Sequence, residues 1–427
     1  GLAGPEAVLR RLSFTLVGLP PTPDETARFV ERWSAGRQAA VEAEVDRLTA
    51  SPHFGERWAR HWMDWVRYAE SHGSEGDIRI PYARQYRDYL IRALNQDVPY
   101  DQLVAEHIAG DLLDEPRIDH ERGINESAIG VAQYRFVLHG YSPTDALAEQ
   151  VRFTDNQIDV LSKGFQGLTV SCARCHNHKF DAISQTDFYA LYGIMASARP
   201  ATITADTPER ARTGVDTLRS LKTPLREVIA DAWLAAADGI ATQLLSPDDA
   251  LVRSLAEELP PTHPLAPWVR LRDQNGDAFA AGWDELVASW QASRDTLAAR
   301  TPSGAAAWRL GTDADEWFGH GVGVERGASP AGEFHVAPSG DRIIDDIFPA
   351  GVYSHTLSTK HSGVISSPRF TVDGGTLFVR AAGDNDAMVR YAIRNYPSYG
   401  ETYPYVRMRG GEFTWQEWDV TYWEGDE

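Results

Sequence analysis

Cysteine is nearly absent from this sequence, which holds two, Cys172 and Cys175, among 427 residues. A small secreted scaffold stapled by disulfides would carry more thiols at dispersed positions, so that class is excluded. A four-cysteine structural zinc site is excluded too, and a mixed site would need a second Cys or His pair. Positive charge is also in deficit: 41 Lys and Arg against 61 Asp and Glu leave a net charge of −20. Nucleic acid and anionic membrane surfaces select a basic face, so no nucleic-acid partner is expected. No apolar run approaches the length of a membrane span, so no membrane span is expected, and the opening Gly1-Leu-Ala-Gly-Pro-Glu6 is no signal peptide. The chain begins without Met and stops at Glu427 directly after a strand-like stretch, which reads as a fragment of a longer, processed or truncated protein.

What is present is the composition of a soluble globular protein. With 43 % hydrophobic and 24 % charged residues, neither a disordered chain nor a coiled coil is expected. The length predicts about three domains. Residues 1–200 read as helical, with apolar side chains at helical spacing over Glu6–Gly18, through Phe29 and Trp33, and over Ala39–Leu48. Ser51-Pro-His-Phe-Gly55 reads as a breaker before a long amphipathic helix to Tyr68, with Trp58, His61, Trp62 and Trp65 on one face. Helices are further expected at Tyr82–Leu94, with Tyr82, Tyr86 and Tyr89 aligned, and at Tyr100–Ile108, Ala146–Gly164 and Asp187–Ala198; 129–139 is left as helix or strand. Residues 201–305 read as a helical spacer or hairpin, and no internal repeat stands out.

The densest chemistry lies in Cys172-Ala-Arg-Cys-His176. Two thiols three positions apart, followed by a histidine, suit covalent haem: each sulfur adds to one vinyl group and the imidazole reaches the iron. A CxxC redox pair, a zinc site and a purely structural role are the alternatives. His178 lies too near His176 in sequence to reach the opposite haem face, so it is a candidate for a supporting or substrate-facing role. His61, within an aromatic stripe, needs a partner for its ring nitrogens when buried and is the first candidate for a distal iron ligand or pocket base. Met63, Met195, His107 and His139 are the other candidates for that position. Arg57, Arg60 and Arg174 are candidates for pairing with haem propionates.

From 306 to 427 short alternating segments separated by Gly and Asp turns predict an antiparallel β-sandwich, of jelly-roll or galactose-binding-like form. Tyr391, Tyr396, Tyr399, Trp415 and Trp418 could stack on sugar rings, making glycan a candidate partner. Asp384-Asn-Asp386 is a candidate for calcium. The fold class expected for the whole chain is therefore multidomain α+β.

Four separated signatures resemble the cytochrome-associated region of the large multidomain planctomycete-type cytochrome c proteins. They are Arg10-Arg-Leu-Ser-Phe-Thr-Leu-Val-Gly-Leu-Pro-Pro-Thr-Pro23, Ser51-Pro-His-Phe-Gly-Glu-Arg-Trp-Ala-Arg-His-Trp62, Tyr86-Arg-Asp-Tyr89 with Pro99-Tyr-Asp-Gln102, and Cys172-Ala-Arg-Cys-His-Asn-His-Lys-Phe-Asp181. The resemblance covers about residues 5–198, with the signatures in the family's order. The resemblance implies a cytochrome c-like helical domain and an exported, periplasmic setting alongside polysaccharide-degrading enzymes and sulfatases. The expected function is electron transfer or haem c-dependent oxidoreduction, with one covalent haem on Cys172, Cys175 and His176. A redox partner protein or an additional cytochrome domain would exchange the electrons. The competing reading is a non-redox polysaccharide hydrolase or lyase, with Asp64, Glu70, Asp111 and Asp181 as candidate carboxylates, or a carbohydrate-binding surface protein.

Overall fold

The structure is a computed structural model and describes residues 3–73, 77–137, 145–198, 200–246, 265–299, 308–337, 343–384, 387–395, 405–411 and 413–427, with a few isolated positions between them. Of the residues singled out above, His139, Asn385, Asp386, Tyr396 and Tyr399 lie outside the described set.

Helices α1 (Pro5–Leu16), α2 (Pro23–Ala35) and α3 (Arg37–Thr49) open the chain. A capping box starts α2: Thr22 Oγ1 accepts the Glu25 N–H at 3.2 Å while Glu25 Oε2 accepts the Thr22 N–H at 2.7 Å. Then follows α4 (Pro52–Trp65). The expected breaker is in fact the start of α4, because Ser51 caps it through the His53 N–H and Pro52 takes the first helical position. Gly55 belongs inside that first turn: a Cβ there would lie 2.4 Å from the Ile91 carbonyl oxygen. The helix stops short of Tyr68, and Arg67 turns left-handed at φ 57°.

Next come α5 (Ala83–Asn95), α6 (Tyr100–Ala109), the short antiparallel pair β1 (Ile118–Asp119) and β2 (Ile124–Asn125), and α7 (Ser127–Gly130), which runs into a 3-10 turn over Val131–Arg135. The ambiguous stretch is thus helical as far as Arg135. Tyr82 departs from the expected line of tyrosines: it is the N-cap of α5 at φ 61° and is 69 % exposed, while Tyr86 and Tyr89 are buried. Helix α8 (Ala146–Gln166) ends on Gly167 at φ 68°, a left-handed cap that favours glycine. A second 3-10 turn (Val170–Arg174), α9 (Gln185–Ser197) and α10 (Pro208–Ala211) complete this part.

Downstream lie α11 (Val215–Leu245), α12 (Ala266–Leu271), α13 (Gly276–Ala299), and strands β3 (Phe318–His320), β4 (Glu333–Val336), β5 (Ile344–Phe348) and β6 (Val364–Ser366). The chain closes with β7 (Thr376–Ala381), β8 (Met388–Arg390), β9 (Tyr405–Arg407) and β10 (Thr414–Asp419). The ladders are β3 with β6, β4 with β5, β8 with β9, and β7 with β10, all antiparallel; the last pairs Leu377 with Trp418 and Val379 with Gln416. The protein is mixed α+β and multidomain. No ladder among the described residues reaches a third strand, so a sandwich remains an expectation.

Compactness divides the chain into two units, one of Gly1–Ala211 with Arg369–Glu427 and one of Arg212–Pro368. In the first unit, α8 serves two apolar clusters. Its early turns place Ala146 and Phe153 against Val372, Ile393, Trp418, Val420 and Trp423 of the C-terminal segment, and Ile158 packs with Val170, Ala173 and Phe188. Each fully buried Ile or Phe contributes about 1.5–3 kcal/mol of transfer free energy. A third cluster gathers Trp62, Val66, Tyr86, Tyr89, Leu90, Leu103 and Phe136 from α4 to α7 and the turn after it. In the second unit, α11 exposes Leu221, Val228, Trp233, Leu234 and Ile240. By length and composition alone the helical run Pro208–Leu245 is long and apolar enough to cross a membrane, at mean hydropathy 1.3 over its most apolar stretch. A search for an uncharged run misses it because Asp231 and Asp238 interrupt the pattern.

Candidate functional site

The 3-10 turn over Val170–Arg174 has three residues per revolution, so positions i and i+3 fall on one line. Burial follows that period. Val170 and Ala173 face inward, 8 % and 0 % exposed, against Ile158 and Phe188. Ser171 and Arg174 share the next line and both hold α8: Ser171 Oγ donates to the Asp155 carbonyl at 3.3 Å and Arg174 Nη1 to Asp155 Oδ2 at 3.0 Å. The remaining line carries Cys172 and Cys175, both exposed free thiols. Two sides of the turn are committed to the fold, and the third presents the sulfurs.

His176 follows on the surface. Its Nδ1 lies 2.7 Å from the Asn177 carbonyl oxygen. A carbonyl only accepts, so Nδ1 carries the proton and Nε2 keeps its lone pair. This is the tautomer in which an imidazole ligates a metal through Nε2 while a backbone oxygen orients the ring. Asn177 is itself tied down, since its Oδ1 accepts the Gln185 N–H at 2.9 Å at the start of α9. The Arg174 carbonyl accepts from Gln185 Nε2 at 3.0 Å and Tyr189 Oη at 3.3 Å. A concavity of ≈ 500 Å³ lined by Gln185, Thr186, Tyr189 and Ala190 adjoins this contact. Tyr189 and the loop residue Phe180 are 51 % and 84 % exposed.

His178 is spent on the loop. Its Nδ1 accepts the N–H groups of Asp181 at 2.8 Å and Phe180 at 3.3 Å, which fixes the proton on Nε2, and Nε2–H donates to Thr169 Oγ1 at 2.9 Å. With both nitrogens occupied and the side chain 6 % exposed, the ring has a supporting geometry and not a substrate-facing one. His61 is half-buried beside Trp58, ring centroids 5.4 Å apart, and no hydrogen bond or ring contact of the described residues joins it to residues 172–176. The aromatic stripe splits: Trp62 is buried, and Trp58 and Trp65 are 37 % and 52 % exposed, because α6 and Phe165 pack on the Trp62 line alone. Met63 packs against the cluster of α4 to α7, whereas Met195 packs in the cluster that holds Ala173.

His107 is fully buried and unavailable to a ligand. Its Nε2 accepts from Trp62 Nε1 at 3.0 Å and Tyr86 Oη at 2.7 Å, and Nδ1–H donates to the Leu103 carbonyl at 2.6 Å. Burial pushes its pKa down to about 4. Beside it, Glu106 accepts two bonds from Arg117 at 3.0 Å, the Tyr89 hydroxyl at 2.5 Å and the Ser127 hydroxyl at 3.0 Å. Burial alone would raise the Glu106 carboxyl, yet these donors hold it below its ordinary value. Sequence reasoning passed over this network; its signal is the pair Glu106-His107 inside the otherwise apolar run of α6. Among the described residues no group of three or more His, Cys, Asp and Glu is arranged to hold a bare metal ion.

Residues 2–200 match the family model PSCyt2, "Protein of unknown function (DUF1549)". The name is associated with planctomycete cytochrome-like proteins. The match covers slightly under half of the chain and takes in the whole Cys172–His176 turn with both helices that carry it. No curated protein and no solved structure matches the chain. Outside the matched segment, the candidate roles on the C-terminal side also narrow. Trp418 is buried and Tyr391 packs edge-on against it at 5.8 Å, so both serve the core, while Trp415 is 48 % exposed.

Proposed function

We propose that Cys172, Cys175 and His176 hold one covalent haem c and that the chain is an exported protein of electron transfer or oxidoreduction. The observation that carries this is the geometry of the turn: two free thiols on one outward line, followed by an imidazole whose proton is fixed on Nδ1. When bound, the haem supplies one-electron exchange at its iron. The chain's own contributions are separable. Cys172 and Cys175 would hold the macrocycle through thioethers, each thiol adding its sulfur and its proton across one vinyl group with no net oxidation. His176 offers Nε2 to the iron, and its bond to Asn177 strengthens it as a donor. Phe180 and Tyr189 supply apolar surface that a macrocycle would shield from water. Arg174 is engaged with Asp155 and is held away from a propionate role.

Electrons would come from or pass to a redox partner protein or a further cytochrome domain. A link to polysaccharide breakdown has its support in the family resemblance. The test is an absorption spectrum of protein made with a working haem-attachment system, oxidised and then dithionite-reduced, with a pyridine haemochrome assay after acid-acetone extraction. Haem c bands that stay with the polypeptide are expected. A colourless protein, or haem that extracts, would overturn the reading.

A further inference from the structure

We propose that His178 is a positioning residue for His176, and that the fixed tautomer of His176 depends on it; the haem-loaded part of the test rests on the function proposed above. The loop between the thiols and α9 is short and exposed, and one ring ties its two sides together. Through Nε2–H, His178 holds Thr169, where the thiol-bearing turn starts; through Nδ1 it gathers the N–H groups of Phe180 and Asp181 on the far side. Its own N–H donates to the Ile183 carbonyl at 2.8 Å, which closes the loop next to α9. Asn177 sits between these restraints, its side chain held by the Gln185 N–H. The carbonyl that receives the His176 Nδ1–H therefore belongs to a residue anchored on both flanks.

Removing the ring frees Thr169 from the loop and leaves the Phe180 and Asp181 amides without their acceptor. Asn177 can then rotate, and His176 loses the oxygen that selects Nδ1–H. A hydrogen bond of about 1 kcal/mol biases a two-state tautomer equilibrium about fivefold. His178→Ala is therefore expected to lower the Nδ1–H to Nε2–H ratio of His176 about fivefold. His178→Asn keeps an acceptor oxygen near the place of Nδ1 and should restore most of it.

The measurement is the ring ¹⁵N spectrum of His176 in protein without haem, for wild type, His178→Ala, His178→Asn and Thr169→Val. Thr169→Val removes only the acceptor of Nε2–H and is expected to give a smaller change in the same direction. In haem-loaded protein, a weaker His176 donor should raise the reduction potential in His178→Ala and leave His178→Asn near wild type. An unchanged His176 tautomer in folded His178→Ala would overturn the proposal. If His178→Ala fails to fold, Thr169→Val decides it: an unchanged His176 tautomer in that variant would overturn the proposal. Failure of haem attachment in every variant sinks the haem reading and leaves the ¹⁵N result to decide the role of His178.

Discussion

The buried network around Glu106 and His107 and the surface turn at Cys172–His176 use the same residue types in opposite ways. In the first, His107 accepts from Trp62 and Tyr86 and donates to Leu103, and Glu106 takes five donated bonds, from Arg117 twice and from Tyr89, Ser127 and Gln102. Every polar atom is committed and excluded from water. In the second, the fold uses two of the turn's three sides and leaves both thiols and the His176 Nε2 outside. Buried polar groups must be satisfied within the protein, so complete satisfaction identifies structure. Reactive groups left over by a well-anchored element identify a site.

The comparison breaks hardest at Arg117. Its guanidinium is the only cation bonded to the Glu106 carboxylate among the described residues, and it lies over the Tyr89 ring at 5.5 Å. Arg117→Met should cost about 3–5 kcal/mol of stability in the first unit, since it leaves a buried carboxylate unpaired. The double variant with Glu106→Gln should recover part of that loss. Denaturant unfolding followed by tryptophan fluorescence measures both, and full additivity of the two single changes would argue against the pair.

A second test uses pH. His107 has a folded-state pKa of about 4 against an ordinary 6.5, because burial disfavours its charged form. At pH 7 it is neutral in both states. Between 6.5 and 4 the unfolded chain takes up a proton that the folded chain refuses, so stability falls through that interval, by about 3 kcal/mol at its lower end. His72, also lowered to about 4 by burial and then by Arg135, acts in the same direction. Glu106, held low when folded, withdraws its contribution only at more acidic pH. Unfolding free energies from pH 7 to 4 should therefore fall less steeply in His107→Gln than in wild type.

How much of this was legible in the sequence depended on whether the cause was local. Helices capped by Thr22 or Ser184 and marked by apolar spacing lie close to where periodicity puts them. Ser51-Pro-His-Phe-Gly55 was misread because proline and glycine are breakers within a helix yet fit its first turn, where Pro52 has no amide to lose and Gly55 meets Ile91. Tyr82 failed for a related reason: helical phase says nothing about a residue that becomes a left-handed cap. The Cys172–His176 motif was visible as chemistry, but its 3-10 geometry was not, since nothing in five letters distinguishes a three-residue from a 3.6-residue period. The association of residues 369–427 with the helices of 1–211 was invisible to composition, which groups strands with strands. It comes from long-range burial of Trp418 and Trp423 beside Phe153.

A smaller effect lies at the edge of the loop. Ser184 and Asp187 form a capping box at α9, with Asp187 N–H to Ser184 Oγ at 3.1 Å and Ser184 N–H to Asp187 Oδ2 at 2.8 Å. Those bonds hold the Asp187 carboxyl below its usual range. Ser184→Ala should cost about 1 kcal/mol in denaturant unfolding, because α9 loses one cap and keeps its Phe188 packing.

The smallest effect on stability separates fold from chemistry most sharply. Cys172 and Cys175 are exposed and unbonded, and the adjoining Ala173 supplies the packing of the turn. Replacing both with serine removes no buried atom and opens no cavity, so the stability of haem-free protein should change by no more than about 0.5 kcal/mol. The same double variant should retain no haem after acid-acetone extraction, because a hydroxyl does not form the thioether. A loss of several kcal/mol in the haem-free double variant would show that the sulfurs belong to the core, and the division between a committed interior and an uncommitted outer line would then be wrong.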